Sequence, residues 1–516
     1  MPASVHPFRA LRNTPLAIAL ATGTLAVAGI PERADADTMR VALRDDPAQR
    51  IFADFPAPSR HRPTTPGAVL AVTTCADDGP GSLRAAVAAA ADGDTVDLTT
   101  LRCGAITLQT GAIPVALDNL SLKGPGRDAL AIDGNAADRV FIHPGHGQLA
   151  LSALTIRNGR DRATGFHVAG GGCIASAGYL ALTDSLVSGC YAGGEGAYGG
   201  AIYAYALTLS NSTLSGNVAN GVHEDAGTAA FGGAAFVYLM QFADSTISGN
   251  RAEHHVNAGR SSYDIGGGVI AVNGGQVSGS TIDSNSSEGR GGGIATFNSI
   301  QVSNSTISGN VAASGPGGGL FLRWPAAVRL DNSTVTANRG IGGGVWLAAE
   351  GSTFRSSVVH GNTAVDSPDP LVASYADVQA QPLQATTATV DGGHNLIGGH
   401  SPNLDLPADT RDADPRLGPL AANGGPTRTH ALPDDSPAID AGENPLGSAY
   451  DQRGAPFARV YGAAADIGAY ERQATQPPAQ AAAPVPALSG RMAAWMAVLL
   501  AGLAVATRKR TRSRCA

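Results

Sequence analysis

Three groups of residues have side chains that could do chemistry. Asp184, Asp244 and Asp331 recur at comparable places in a repeated stretch. Carboxylates of this kind would serve a polysaccharide hydrolase if two or three converged on one bond. Asp133-Gly134-Asn135 with Arg139 offers an acid beside a base, as a lyase would need together with acids that hold Ca²⁺ against a uronate. His223, His254, His255 and Asp264 are metal-ligand types in the two longest inserts of the repeat.

Each group also has a plainer reading, and the plainer one is adopted. The column holding Asp184 and Asp244, with Asp331 in or beside it, otherwise carries Asn211, Gly279, Asn304 and Asn332. A column that exchanges Asp with Asn and Gly is a turn column. Asp-Gly-Asn is itself a turn signal, and adjacent His254 and His255 point apart on an extended chain, so the four insert residues read as solvated loop positions. No catalytic residue, metal or cofactor is therefore assigned. The chain also lacks a phosphate-binding glycine loop or nucleophile elbow in the strand-to-helix setting those motifs need. The reading leans away from an enzyme.

The elements that would position these residues repeat openly. A phrase resembling Ser-Thr-Ile-Ser-Gly-Asn occurs eight times, with its aliphatic at 156, 187, 214, 247, 282, 307, 335 and 359. The shortest interval, 24 residues, approximates one bare turn of a solenoid, and the longer ones add loop. The excess falls between the Asn and a glycine cluster such as Gly266-Gly267-Gly268, which puts the inserts on one edge. The aliphatics stack into a continuous core. The column Asn217, Asn250, Asn285, Asn310, Asn338 and Asn362 reads as a ladder of amides at a left-handed corner, and the glycine clusters as corners with positive φ. Upstream, short triplets such as Ile106-Thr107-Leu108 and Leu149-Ala150-Leu151 have strand length and no helix-length spacer. Ser82 caps a helix that Gly93 ends, covering the open first rung. The expected fold is all-β: a right-handed parallel β-helix over residues 71–400, with a short N-terminal capping helix and a C-terminal apolar helix.

The 516 residues include 67 glycines and only 5% aromatic side chains, as many tight corners require. The net charge of −7 hides basic ends: residues 491–516 carry six Arg or Lys and no acid. The acidic body disfavours nucleic acid as a partner. Residues 1–36 read as a signal peptide, with small-x-small sites at Ala26-Val27-Ala28 and Ala34-Asp35-Ala36, and 37–70 as a linker. Export permits disulfides, and pairing Cys75 with Cys103 and Cys173 with Cys190 is one of three connectivities open to those four cysteines. Residues 474–489 form a Pro/Ala-rich linker and 490–516 an apolar helix with a basic end, expected to hold the chain at a membrane.

The repeats resemble bacterial right-handed parallel β-helix proteins of the polymorphic outer-membrane and pectate-lyase-like type, over roughly residues 70–400. Downstream, Asp414-Pro415-Arg416-Leu417-Gly418, Ser436-Pro437-Ala438-Ile439-Asp440, Asp451-Gln452-Arg453-Gly454 and Asp466-Ile467-Gly468 resemble the choice-of-anchor Q domain. That resemblance implies no established reaction, and the short Gly/Pro-punctuated pieces themselves read as a C-terminal cap for the last rung over 401–473. Val485-Pro486-Ala487-Leu488-Ser489 resembles the IPTL-type C-terminal sorting signal, departing from it at Val485 and Ala487, and implies a sorting protease as a partner. The resulting expectation is an exported, monomeric cell-envelope protein, membrane-anchored or released by processing. It would act as a structural, adhesive, or glycan- or protein-binding module along its insert-bearing edge. The alternative is a polysaccharide lyase or hydrolase.

Overall fold

The structure, a computed structural model, describes residues 67–162, 168–194, 196–221, 229–254, 264–323, 326–348, 351–365, 375–380 and 387–473. The assigned signal peptide, nearly all of the linker, residues 474–516 with the sorting phrase, Cys515, His223 and His255 lie outside the described residues. No helix among the described residues is long and apolar enough to cross a membrane.

Nearly every strand pairs in parallel with its counterpart one rung away, giving a right-handed parallel β-helix. Each rung runs through a long sheet, then an eleven-stranded flank sheet made by the Thr-Ile-Ser phrases, then an eight-stranded third sheet. In the flank sheet the aliphatic positions are in register, Ile156 with Val187, Val187 with Leu214, and so on to Val359 with Ile397. These side chains point inward and are 0–1% exposed, so each contributes roughly 1.5–3 kcal/mol by burial. Opposite them stand inward columns of the long sheet, for example Leu182, Leu209 and Phe242.

The rung begins at Val69–Ala71, paired with Thr95–Asp97, so the first strand starts inside the stretch read as linker. The single described helix, Leu83–Ala89, is capped as expected: Ser82 Oγ accepts from the Ala85 amide at 3.1 Å. It ends earlier than expected, at Ala90, because the chain must turn to enter Thr95–Asp97. Gly93 serves that turn at φ 88. Leu83, Ala86 and Val87 face the core, which the helix closes at its N-terminal end.

Two corners organise the polar interior, and both differ from the sequence reading in detail. At the flank-to-third-sheet corner the left-handed residue is the one before the Asn: Gly216, Gly249, Ser284, Gly309, Ala337 and Gly361. The Asn itself is buried and faces inward, its Nδ2 donating to the next rung's Oδ1 at 2.8–2.9 Å from Asn217 through Asn338. That Oδ1 also accepts the backbone N–H of the preceding rung's Asn at 3.0 Å. A second ladder precedes the flank strands and was not anticipated. The amides of Ser185, Ser212, Ser245 and Ser280 each donate to the next rung's serine Oγ at 3.1 Å. It continues through Ser305, Ser333 and Ser357 to Asn395. These donors would otherwise be orphaned in the core.

In the glycine clusters only the leading residue has positive φ, as at Gly266 and Gly317. The second is glycine because rungs touch there: a Cβ on Gly233 would lie 2.1 Å from the Gly267 carbonyl oxygen.

The insert edge also departs from expectation. The third sheet and a three-stranded sheet, Val168–Gly170, Gly196–Tyr198 and Ala230–Phe231, form a thin fin around Ala197, Ala219, Ala230 and Ala252. The inserts are not confined to that edge. The long strand is continuous in Ile174–Thr183, Ile202–Ser210 and Ala235–Ala243. It then splits, for instance into Leu320–Leu322 and Val328–Asp331, with extra residues between the halves.

Residues 401–412 stack on the last rung through Ala388 with Leu404 and Leu396 with Arg411. The remainder to 473 does not cap the solenoid. It folds back along the outside of the flank sheet, burying Leu432, Ala438 and Ile467 against Val358 and Leu396. The residues of its motifs form a buried polar centre. Arg453 pairs with Asp451 at 2.6 Å between the rings of Phe457 and Tyr470, and Arg459 pairs with Glu471 at 2.9 Å.

Candidate functional site

The outward face of the long sheet carries unlike columns side by side. Nearest the fin, Tyr203, Phe236, Ile270, Ala295, Phe321 and Trp346 align across rungs. They are covered by Tyr198, Phe231 and Ile265 to make a second core outside the solenoid. Tyr198 stacks on Phe231 at 4.9 Å, and burial pushes the Tyr198 and Tyr203 hydroxyls far up.

Beyond this covered strip the face opens gradually, with Tyr238 half-buried against the edge of that second core. Tyr205 and Tyr238 stack at 5.1 Å, with Tyr179 edge-on to Tyr205 at 5.8 Å. Past Tyr238, Asn298 Nδ2 donates to Asn273 Oδ1 at 2.7 Å. The next column is Thr208, Gln241, Gln276, Gln301 and Arg329, in register on successive rungs and half-buried or exposed. Outside it stand Ser210, Ala243, Ser278, Ser303 and Asp331. Neighbouring rungs are about 4.8 Å apart, so this is a flat strip of aromatic, amide and hydroxyl groups repeating at that spacing.

The candidate acids and bases are held by separate partners. Burial raises Asp133, but the Asn135 amide, Arg157 at 2.7 Å and Asn158 outweigh it and hold the carboxyl below its usual range. Arg139 does not meet Asp133. It pairs with Asp161, whose carboxyl burial pushes up although Arg139 and the Gly170 amide oppose that. Asp184 and Asp244 are turn residues, at φ 49 each. Asp331 is instead the last residue of a strand, its carboxylate fully buried between Arg329 at 2.6 Å and Arg355 at 2.7 Å.

His254 and Asp264 are not solvated. Both are buried where the fin ends, with His254 Nδ1 3.9 Å from Asp264 Oδ1, and that carboxylate accepts the Ala230 amide at 2.7 Å. Asp161 and Asp264 thus close the two ends of the alanine fin. Among the described residues no three His, Cys, Asp or Glu side chains are placed to hold a metal. The cysteines form Cys75–Cys103 and Cys173–Cys190. The second bridge ties the glycine corner that opens a rung to the Asn-like position of the same rung, Cys190, whose amide donates to Asn217 Oδ1 at 3.0 Å.

No family model matches the chain, and no curated protein matches it. Among solved structures, the crystal structure of pectate lyase Pel9A aligns with a TM-score of 0.46 at 15% identity, covering 79% of this chain and 97% of that one.

Proposed function

We propose that this is an exported surface protein whose long-sheet face binds an extended glycan without transforming it. The observation that carries the reading is the in-register run Gln241, Gln276, Gln301 beside stacked Tyr205 and Tyr238. Amide side chains both donate and accept, as sugar hydroxyls require, and tyrosine presents an apolar ring with a polar tip. A polymer lying along the solenoid axis would meet equivalent groups at each rung. The two disulfides suit an oxidising compartment, and residues 490–516 would supply the anchor.

The test is a glycan array with the full chain in detergent, followed by calorimetry on the best polysaccharide. Tyr238→Ala with Gln276→Ala should weaken binding at least tenfold while the circular-dichroism melt is retained. Absence of any glycan binding, or binding indifferent to both changes, would sink the reading. Release of reducing ends or unsaturated products from the bound polymer would replace it with an enzymatic one.

A further inference from the structure

On the flank sheet most outward threonines of the repeated phrase are partnered. Thr155 Oγ1 donates to the Arg127 carbonyl at 2.7 Å and those from Thr281 onward meet the C-terminal segment, while Thr213 and Thr246 between them are left open. From Gly279 onward the face receives the folded-back C-terminal segment. Thr281 Oγ1 donates to the Arg428 carbonyl at 2.6 Å, Thr427 Oγ1 donates to the Gly279 carbonyl at 2.9 Å, and the Ala469 amide donates to Thr334 Oγ1 at 3.0 Å. Arg428 also seats its guanidinium on Asp283, a carboxylate buried in the sheet face. Thus the face takes an extended chain by its backbone and one arginine by an aspartate.

The backbone of this cover stops at Pro426, and beyond it only the Arg428 side chain reaches on, to Ser248 Oγ at 3.4 Å. Thr213 and Thr246 continue the column toward the N-terminus, and their hydroxyls have no protein partner among the described residues. With Leu186 they floor an open groove of about 260 Å³, walled by the Arg127–Asp128 turn on one side and Pro426 on the other.

Asp244 stands on its rim. In the same turn column Asp184 receives Asn211 Nδ2 at 2.6 Å from the following rung. The corresponding residue for Asp244 is Gly279, which has no side chain to donate, and a Cβ there would lie 2.2 Å from Asp244 Oδ1. The Asp244 carboxylate therefore has no donor from its own column, and it is exposed. Arg127 does not supply one, since its Nη1 donates to the Asn211 carbonyl at 3.1 Å.

We propose that the open rungs of the flank sheet dock an extended, arginine- or lysine-bearing peptide of a partner protein. Its backbone would bond Thr213 and Thr246 and its cation would rest on Asp244. The argument is continuity of the backbone contacts: the neighbouring rungs of the same face already hold a Gly-Pro-Thr-Arg stretch of this chain, with Arg428 on Asp283 at the far end of the strand from the Asp244 column. The charge agrees, because Asp128 and Asp244 outnumber Arg127 in the lining of the groove. The site lies on a different sheet from the proposed glycan strip and stands independently of it.

The probe is a fluorescent peptide of sequence Ala-Asn-Gly-Gly-Pro-Thr-Arg-Thr-His-Ala, titrated by anisotropy against the full chain in detergent. Saturable binding is expected, falling at least tenfold with Asp244→Asn and with the independent double change Thr213→Val and Thr246→Val. A probe with Glu in place of Arg should not bind. Equal binding of both probes, unchanged binding by the variants, or no binding up to millimolar peptide would overturn the proposal. So would binding that emerges only when the arginine-bearing residues 37–66 are deleted, which would make that segment the occupant.

Discussion

Asn362 donates to Asp377 Oδ1 twice, from its amide side chain at 2.8 Å and from its backbone N–H at 2.9 Å, so the asparagine ladder ends on a carboxylate. Burial pushes Asp377 above its usual range, although Asn362 opposes this. A group raised on folding contributes stability that is full below its unfolded value, about 3.9, and is lost as pH rises through the folded one. Asp377→Asn keeps the acceptor and removes the titration. The variant should therefore be more stable than the parent at pH 7 and equal to it near pH 4, as read by urea unfolding at each pH.

Within the ladder, Asn310→Ala should be costly. Asn310 Nδ2 donates to the Ile282 carbonyl and to Asn338 Oδ1, and its own Oδ1 accepts twice from Asn285, all fully buried. Removing it orphans donors and acceptors on both neighbouring rungs. A loss of about 2–4 kcal/mol in unfolding free energy is expected.

His143 gives the opposite sign to Asp377. Its Nε2 donates to the Leu117 carbonyl at 3.0 Å while Nδ1 accepts from Ser176 Oγ at 2.8 Å, and burial lowers its pKa against those carbonyls. Its contribution is present above the unfolded value of about 6.5 and is lost as pH falls through the folded one. The stability gap between the parent and His143→Gln should narrow from pH 7 to pH 5 in chemical denaturation.

Arg453→Ala should release the folded-back segment. It leaves the Asp451 carboxylate buried without its partner and empties the space between Phe457 and Tyr470. Breaking such a pair costs about 3–5 kcal/mol. Limited proteolysis should then cut within 413–473 while the rungs stay protected.

Replacing Cys173 and Cys190 by Ala together should destabilise the chain by roughly 3 kcal/mol, the cost expected for opening a loop of about this length. The readout is the urea midpoint, with the parent under reducing agent, which opens Cys75–Cys103 as well, falling at least as far.

The repeated phrase carried the fold because its aliphatic position recurs at rung spacing and can be stacked without knowing the loops. Its serine was equally visible in Ser185, Ser212 and Ser245, yet its ladder was missed. A small polar residue beside a turn residue reads as turn chemistry until the rungs are superposed. The strip of Tyr205, Tyr238 and the glutamines was illegible for a different reason. Those residues lie outside the phrase, at uneven sequence spacings set by inserts, and only in the folded sheet do they fall into line. Asp264 and Arg139 looked functional by type, but only the fold shows Asp264 closing one end of the fin and Arg139 pairing with Asp161 at the other. The place of residues 413–473 on the flank depends on contacts across more than a hundred residues, such as Thr281 with Arg428. No local signal encodes them.

Every described amide in the asparagine ladder points the same way, nitrogen toward the C-terminal end. The aligned groups polarise one another and add into a single field along the axis, much as peptide units do in a helix. Its positive pole falls at Asn362, where the Asp377 side chain sits. The interior of this solenoid is therefore vectorial, and a disturbance at one rung would be felt electrically by rungs it never touches.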